Sequence, residues 1–399
     1  MSKVLFWDVP LFGHVNPSLG LVEELSQRGE QVIYYSTDTF KSKIEQAGAI
    51  YRYNYECDVF QKILCENQIM PSAKSYIEFF NKVLTSIDPA INYMIEQHNL
   101  EKFDYIVYGS LLTYGKILSE ILEIPSISMF SLLASVNDLT GTYKDNNMVD
   151  YQNIAQSLCY HKISDKISLK YGIKFPLLQD LFFNKGDLNI IFTSKSFMPN
   201  PEYYDSSYIF MGPASNPDDG SVDFPFDKLI NQKVIYISLG TIFGATEYKL
   251  YQIFFDAFKD TEYIVVMSAH NADMHNMKIP PNFIIRNYIP QTKLLKYIKG
   301  AIIHGGANTT NDLLKHAIPF IVIPIANDQF FMGKRCEALH LAICLDKNCI
   351  SPTLVANSVN QVLSDPIYMK NLKIMQENFN ACGGYQEATD RILTFIAHK

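Results

Sequence analysis

The sequence predicts an α/β protein of two domains, each built around a parallel β-sheet. Two stretches of alternating strand and helix patterns are separated by a segment rich in proline, aspartate and serine within residues 212–232. Such alternation favours parallel strands joined by right-handed crossovers. The chain has 399 residues, which is longer than one compact domain usually is. We therefore expect a first domain at 1–212, a linker at 213–232, a second domain at 233–384 and a terminal segment at 385–399.

Short apolar runs in the first half are typical of buried strands. We expect strands at residues 4–9, 32–36, 105–108 and 126–129. Amphipathic patterns at residues 18–27 and 41–47 predict helices that end at Gly29 and Gly48. His14 then lies in a loop between the first strand and the first helix.

The second half shows the same alternation. Strands are expected at residues 234–238, 263–267, 283–286, 301–303 and 320–323, and the closing helix at 386–397. The helix after the strand at 301–303 is expected to stop before Pro319, because proline cannot continue a helix.

Composition excludes several classes of protein. Hydrophobic residues make up 48% of the chain and charged residues 19%, as in globular proteins with substantial cores. The net charge is −7 and no useful Lys/Arg run is present, which argues against a nucleic-acid partner. No apolar stretch has the length of a signal peptide or membrane span. The seven cysteines show no Cys-x-x-Cys spacing, so we expect free thiols in a reducing cytoplasm.

Two loops in the second half carry residue types suited to a phosphate and a sugar. The first begins at His304, where the strand at 301–303 ends, and its glycine pair at 305–306 allows a backbone to approach a ligand closely. The Asn-Thr-Thr run at 308–310 offers N-cap residues for the next helix. Backbone N–H groups, hydroxyls and a helix dipole together form an anion site that fits a diphosphate. Residues 327–329, Asn-Asp-Gln, suit sugar hydroxyls.

At these residues the chain resembles the UDP-dependent glycosyltransferases of the GT-B fold, family 1, and among them the bacterial macrolide-type branch. The resembling motifs are Tyr-Ile-Pro-Gln at 288–291, His-Gly-Gly-Ala-Asn-Thr-Thr at 304–310, Asp-Gln at 328–329, Ser-Leu-Gly-Thr at 238–241 and Phe-Gly-His-Val-Asn-Pro at 12–17. They follow one another in the family's order. The resemblance covers almost the whole chain and is strongest in residues 232–345.

The resemblance implies a fold and an activity. The fold would be two doubly wound, Rossmann-like domains facing each other across a cleft, with the last helix crossing back onto the first domain. The activity would be an inverting transfer of a hexose, most simply glucose from UDP-glucose, to a small apolar acceptor such as a phenol, macrolide or other natural product. The UDP-sugar is then a co-substrate and no cofactor is expected. Monomer and homodimer both remain open.

The resemblance also implies roles for individual residues. His14 would be the base that removes the acceptor proton, a task that suits an imidazole with a pKa of about 6.5. Tyr288 would stack on the uracil. The donor would be bound by Ser238, Gly240, Thr241, Tyr288, Ile289, Gln291, His304, Gly305, Gly306, Asn308, Thr309, Asp312, Asp328 and Gln329. No metal is expected, because the chain contains no Asp-x-Asp motif of the kind that holds a cation in metal-dependent sugar transferases.

Each of these assignments has a plainer alternative. His14 could be a polar loop residue, the motif at 238–241 an ordinary turn, Tyr288 a core aromatic and His304 a structural histidine. The aromatic stretches at 60–80 and 129–151, where the family builds its acceptor pocket, could be plain core. Two alternatives concern the whole protein: a UDP-sugar epimerase of the same architecture, which needs no acceptor, and a catalytically silent partner of another transferase.

Two positions depart from the family pattern. Asp312 stands where a glutamate usually binds the ribose hydroxyls, and it is one methylene shorter. Gly109 stands where the family has an aspartate hydrogen-bonded to the base histidine, and Asp104 lies at the wrong end of the strand to replace it. An acceptor that ionises readily, such as a phenol, would need this carboxylate least. A Gly109→Asp change is accordingly expected to raise transfer to aliphatic alcohols.

Overall fold

Two parallel β-sheets organise the chain. The computed structural model describes residues 1–66, 73–131, 158–214, 223–240, 247–270, 272–275, 277–326 and 328–399. The chain divides into two compact units, of which unit 1 comprises Met1–Ser215 with Cys382–Lys399, and unit 2 comprises Asn216–Ala381. Each unit contains one of the sheets, so the predicted α/β class with two parallel sheets is confirmed.

The sheet of unit 1 is built from strands that all pair in parallel. They are β1 (Lys3–Trp7), β2 (Gln31–Ser36), β3 (Ile50–Tyr53), β4 (Tyr105–Gly109), β5 (Ser126–Phe130), β6 (Leu188–Ile191) and β7 (Tyr208–Phe210). Within the described residues their order is β3-β2-β1-β4-β5-β6-β7. Strand β1 therefore lies between β2 and β4, and the order reverses between β1 and β4.

Both faces of this sheet are buried, as is typical of parallel sheets. Leu5 and Trp7 of β1 belong to the apolar cluster on one face, and Val4 and Phe6 to the cluster on the other. The helices that cover the faces are α1 (Phe12–Gln27), α2 (Lys41–Gln46), α3 (Tyr55–Glu66), α4 (Ala73–Glu101), α5 (Gly115–Leu122), α6 (Leu158–Tyr171) and α7 (Leu178–Phe182).

Helix α1 begins at Phe12, so the prediction of a helix from residue 18 with His14 in a loop is wrong. The backbone N–H groups of His14 and Val15 both donate to the Leu11 carbonyl at 2.9 Å, which closes the first turn. Pro17 lies inside the helix, and its presence made the segment resemble a loop. His14 is therefore held by regular backbone structure.

Unit 2 repeats the architecture with a smaller sheet. Its strands are β8 (Lys233–Ser238), β9 (Tyr263–Ser268), β10 (Phe283–Arg286), β11 (Ile298–Ile303), β12 (Phe320–Val322) and β13 (Ala342–Cys344). In the part of unit 2 that the structure describes, they are parallel in the order β10-β9-β8-β11-β12-β13. Its helices are α8 (Tyr248–Phe258), α9 (Gln291–Leu294), α10 (Ala307–Lys315), α11 (Gln329–Ala338), α12 (Pro352–Ser364) and α13 (Pro366–Asn380).

The last helix, α14 (Gly384–Ala397), packs on unit 1 although it follows unit 2 in sequence. The Tyr385 hydroxyl donates to the Pro17 carbonyl at 2.7 Å. Ala388 and Ile392 are fully buried in the cluster that contains the apolar face of α1. The terminal helix thus forms part of the core of the first unit.

Part of the predicted linker at 213–232 belongs to the core of unit 2. Phe224 and Leu229 are 6% and 1% exposed. The ring of Phe226 stacks on Tyr297, with 5.4 Å between centroids. Polar composition predicted a linker here, but these three apolar side chains pack against unit 2 instead.

Two further findings concern the described residues alone. No helix among them combines the length and apolar character needed to cross a membrane. The cysteines whose side chains are described, Cys57, Cys159, Cys336, Cys344, Cys349 and Cys382, are all free thiols.

Candidate active site

The predicted site residues Ser238 and His304 lie at the point where the strand order of one sheet reverses, and His14 follows a strand at the reversal point of the other. Ligands of doubly wound sheets bind in the crevice outside the carboxyl ends of the strands at such a point. In unit 1 the reversal lies between β1 and β4, which end near Asp8 and at Gly109. In unit 2 it lies between β8 and β11, which end at Ser238 and just before His304. Each unit therefore has one candidate site, and the two are described separately.

His304 is fixed on both sides of its ring. Its Nδ1 lies 3.2 Å from the Ser238 carbonyl oxygen, which can only accept, so Nδ1 carries a proton and donates it there. A Cβ built on Gly240 or Gly306 would come within 2.7 Å or 2.6 Å of Nε2. Glycine at both positions therefore leaves room for the His304 ring. This role is separate from the predicted one of letting a ligand approach the backbone. Burial lowers the pKa of His304 to about 4, against the opposing effect of the Ser238 hydrogen bond.

The chain turns into α10 directly after His304. Gly305 has a φ of 93°, which favours glycine, and a Cβ there would lie 3.0 Å from the Gln329 carbonyl oxygen. Gly306 is the N-cap, so the prediction that residues 308–310 cap the helix is wrong. They lie in its first turn, where the Thr310 hydroxyl donates to the Gly306 carbonyl at 2.9 Å. The first backbone N–H groups of an α-helix lack intrahelical partners, so this end suits an anion.

Gln291 is held in a hydrogen-bonded network inside unit 2. Its Nε2 donates to Asp312 Oδ2 at 2.7 Å. Its Oε1 accepts from the Tyr236 hydroxyl at 3.2 Å and from Thr309 Oγ1 at 3.3 Å. Burial raises the pKa of Asp312 to about 6, and the Gln291 hydrogen bond partly offsets this. The shorter aspartate thus binds Gln291, which fixes the start of α9 relative to α10.

Tyr288 and Ile289 occupy the loop between β10 and α9 with opposite exposure. The Tyr288 side chain is 49% exposed, whereas Ile289 is 4% exposed. The alternative that Tyr288 is a core aromatic is therefore wrong. An exposed ring beside the Gln291 network can stack on a planar base.

Gln329 orders the loop that precedes α11. It is 4% exposed, and its Oε1 accepts from the backbone N–H groups of Ile325 at 2.8 Å and Ala326 at 3.0 Å. Asp328, the N-cap of this helix, is exposed. Gln329 therefore has a structural contact, and its contact to the sugar stays a prediction. Thr241, Asn327 and parts of the predicted acceptor stretches, residues 67–72 and 132–151, lie outside the described residues.

In unit 1, His14 occupies the first turn of α1 and is half-buried. Burial lowers the pKa of His14 to about 4. The ring is therefore neutral near pH 7 and has a lone pair that can accept a proton. Phe12, two residues earlier, is 49% exposed and gives this turn an apolar surface.

Asp8 lies beside Gly109 and fills the space where a side chain at 109 would be. Trp7 of β1 pairs with Tyr108 of β4, which places the next residues of the two strands side by side. A Cβ built on Gly109 would overlap Asp8 Oδ1. The expectation that Gly109→Asp supplies a missing carboxylate is therefore contradicted, because another carboxyl already occupies that place. The predicted site did not include Asp8, whose only signal was a charged residue directly after a buried strand.

Asp8 is 2% exposed, and its Oδ1 accepts from the Val9 backbone N–H at 2.7 Å. Burial raises the pKa of this carboxyl to about 7, and the Val9 hydrogen bond opposes the shift. Across the residues that the structure describes, no group of three His, Cys, Asp or Glu side chains could hold a metal ion. The donors collected around His304 instead suit an anionic ligand.

Comparison with known proteins finds similar sequences. Residues 255–394 match the family model described as the erythromycin biosynthesis protein CIII-like C-terminal domain. The chain is 29% identical to the uncharacterized UDP-glucosyltransferase YojK of Bacillus subtilis, over 100% of this chain and 98% of that protein. It is 27% identical to the NDP-glycosyltransferase YjiC of Bacillus licheniformis, over 99% and 98% of the two chains.

A solved structure shares the fold. The calicheamicin glycosyltransferase CalG4 superposes with a TM-score of 0.83 at 22% identity, over 100% of this chain and 98% of that chain. The likeness extends over both units rather than one of them.

Proposed function

We propose that the chain is a family 1 glycosyltransferase of the GT-B fold and that it transfers glucose from UDP-glucose to a hydroxyl of a small apolar acceptor. The name UDP-glucosyltransferase of the Bacillus subtilis relative supports this donor. The calicheamicin glycosyltransferase supports a natural product as the acceptor. In-line attack would invert the α-linked donor to a β-glycoside.

The observation that carries the proposal is the position of His304 at the N-terminus of α10. Its Nδ1 is held by Ser238, and its ring lies next to the backbone of Gly240 and Gly306. A diphosphate bound there would meet an imidazole, a glycine backbone and the positive end of a helix dipole. Such preorganised donors stabilise the charge that develops on a leaving diphosphate. The exposed Tyr288 would hold the uracil, and Asp328 with Gln329 the sugar hydroxyls.

His14 would be the general base. The neutral imidazole takes the proton of the acceptor hydroxyl as the oxygen forms its bond to C1 of the sugar. The bond from C1 to the diphosphate oxygen breaks, and its electron pair leaves with UDP. The exposed Phe12 ring in the same helical turn would contact an apolar acceptor.

A donor and acceptor screen tests this proposal. UDP- and dTDP-sugars are incubated with phenols, macrolides and aliphatic alcohols, and mass spectrometry follows glycoside while free UDP is quantified. We expect glycoside with UDP-glucose, and loss of product in His14→Ala and His304→Ala. A variant at Lys249, an exposed residue of α8, serves as the control that keeps activity. UDP release without glycoside for every acceptor would reject transfer.

A further inference from the structure

Asp8 is a buried carboxyl that the activity described so far does not use. It lies at the reversal point of the sheet in unit 1, immediately after β1. Burying an ionisable carboxyl is costly, and one backbone hydrogen bond from Val9 compensates only in part. A strongly perturbed ionisable group at such a crevice is a candidate for a functional role.

Two tight turns bring the first turn of α1 back to the end of β1. The Leu11 N–H donates to the Val9 carbonyl at 2.7 Å, and the His14 N–H donates to the Leu11 carbonyl at 2.9 Å. His14 is thus tied through two backbone bonds to the residue that follows Asp8. Gly109 leaves open the space into which the Asp8 carboxyl projects from β1.

We propose that Asp8 is the positioning residue for His14. The carboxylate of Asp8 projects from β1 into the space that Gly109 leaves on β4. It orients the imidazole of His14 and stabilises the imidazolium that forms when the acceptor is deprotonated. Gly109 then provides the space for the Asp8 carboxylate, so glycine at this position does not mean that the site lacks a carboxylate. The inference rests on the proposed function of His14 as the base.

The proton moves in one step. The acceptor O–H bond breaks and its proton goes to the free nitrogen of His14. The acceptor oxygen forms the new bond to C1, and the bond from C1 to the diphosphate oxygen breaks with its electron pair leaving on UDP. The imidazolium then faces the Asp8 carboxylate, and it returns the proton to solvent after UDP leaves. No oxidant, reductant or further reactant is needed.

Two other ionisable side chains interact with the Asp8 carboxyl, and both are neutral at the working pH. The Tyr34 hydroxyl on β2 has its pKa raised well above the ordinary value by burial and by Asp8, while Ser18 lies 3.0 Å away as its hydrogen-bond partner. Burial raises the pKa of the Cys57 thiol to about 12, with Asp8 among the smaller causes. Neither group offers a positive charge to Asp8.

The first test compares two aspartate-to-asparagine variants on the same sheet. Asp8→Asn keeps an oxygen to accept from Val9 and removes the charge. Asp104→Asn, at the opposite end of β4, is the matched control. We expect Asp8→Asn to lower kcat with an aliphatic alcohol by up to about 10⁴-fold, by analogy with the carboxylate of a Ser-His-Asp triad. The loss should be smaller for a phenol, and Asp104→Asn should be unaffected. Equal losses for both acceptors, or a loss under tenfold, would overturn the proposal.

The second test moves the carboxylate between the strands. Gly109→Asp alone should be inactive, because two carboxyls compete for one place. Asp8→Gly combined with Gly109→Asp should recover at least tenfold over Asp8→Asn. A folded double variant as inactive as Asp8→Asn would indicate a purely structural role for Asp8. If the double variant does not fold, the kcat losses of Asp8→Asn with the aliphatic alcohol and with the phenol decide between a positioning and a structural role for Asp8.

The third test needs no turnover, so it separates this inference from the proposed function. The ring nitrogen shifts of His14, assigned with His14→Gln, are compared by NMR in the wild type and Asp8→Asn at pH 8 and pH 5. Above about pH 7 the Asp8 carboxyl is ionised. A carboxylate that accepts from one ring nitrogen holds the imidazole in one tautomer, so the tautomer ratio of His14 at pH 8 should differ between the two proteins. Identical nitrogen shifts at pH 8 would refute the pairing even if the enzyme transfers sugar. Different shifts in a protein that transfers no sugar would reject only the proposed function.

Discussion

At the scale of single residues, hydrogen-bond geometry determines what each candidate side chain can do. His304 donates through Nδ1 to a carbonyl, so its Nε2 carries a proton only when the ring is positively charged. Gln329 uses Oε1 to hold two backbone N–H groups, which leaves its amide nitrogen for other contacts. Asp8 is buried where its charge is costly. Each geometry leads to a separate measurement.

We expect His304→Ala to weaken UDP binding at least about tenfold, because a hydrogen bond to a charged group contributes about 1.5–3 kcal/mol. Titration calorimetry with UDP measures this. His304→Asn is the matched variant that keeps a polar side chain of similar length. A folded His304→Ala variant with unchanged UDP affinity would place the phosphate site elsewhere.

The pH dependence of UDP binding should also carry the signature of His304. The pKa of the free ring is about 4, and a diphosphate at Nε2 favours the charged ring and raises that value. The affinity of the wild type for UDP, divided by that of His304→Asn at the same pH, should therefore fall as pH rises from about 4 towards the pKa of the bound ring. Calorimetry in two buffers of different ionisation enthalpy should show proton uptake, and its absence would mean that the neutral ring binds.

Gln329 requires two variants to separate its structural and ligand contacts. Gln329→Glu keeps the oxygen that accepts from Ile325 and Ala326 and removes the amide N–H groups, whereas Gln329→Ala removes both. We expect both variants to lose turnover with UDP-glucose much more than affinity for UDP, and only Gln329→Ala to lower Tm. Wild-type turnover in Gln329→Glu would restrict this residue to ordering the loop.

Asp8 should make stability depend on pH in a known direction. Its pKa is raised from 3.8 to about 7, so the folded protein holds the proton more tightly than the unfolded chain. The free energy of unfolding should therefore fall as pH rises from about 4 through 7, by up to about 4 kcal/mol. Asp8→Asn should remove this slope. Urea unfolding should show that the variant gains stability relative to the wild type, and that this gain is about 2–3 kcal/mol larger at pH 8 than at pH 5. Parallel profiles for the two proteins would show that Asp8 does not titrate in this range.

Motif spacing selected the residues around His304, because they lie within loops that a sequence displays directly. Asp8 could not be selected in this way. Its importance depends on the register of β1 against β4, two strands that are distant in sequence and become neighbours only where the sheet order reverses. A search along β4 alone reached Asp104, which binds the Lys3 N–H at the other end of the sheet.

At the scale of elements, apolar runs located the longer strands, but the longest helix, α4, was not predicted, and local composition misled at three places. Pro17 made the start of α1 resemble a loop. The strands β3, β6, β7 and β13, of three or four residues each, were not predicted. The predicted linker contains the apolar side chains of Phe224 and Leu229, which pack on unit 2. Tertiary packing decides such cases, and sequence patterns do not show it.

The docking of α14 provides a prediction at this scale. Ile392 is fully buried in the core of unit 1, so Ile392→Ala should lower the free energy of unfolding by about 2–5 kcal/mol. Asp390→Ala on the same helix, which removes only an exposed ion pair with Arg28, should have a much smaller effect. Denaturant unfolding compares the two variants, and equal effects would mean that α14 is not part of the cooperative core.

At the scale of the whole molecule, one arrangement occurs twice. Each unit has a parallel sheet whose order reverses beside its central strand, and each reversal point carries a histidine that follows a strand. In unit 1 the histidine is suited to accept a proton, and in unit 2 the histidine lies at the N-terminus of a helix suited to bind an anion. A glycosyl transfer needs both chemistries, whereas an epimerase needs no acceptor base.

The most direct test of the central claim is the product formed from UDP-glucose and a phenolic acceptor. The anomeric configuration is read from the NMR coupling constant of C1–H, and free UDP is quantified in the same sample. We predict a β-glucoside formed in equal amount to UDP, with the reaction lost in His14→Ala. An α-glucoside, or UDP released without any glycoside across the acceptor panel, would contradict the account.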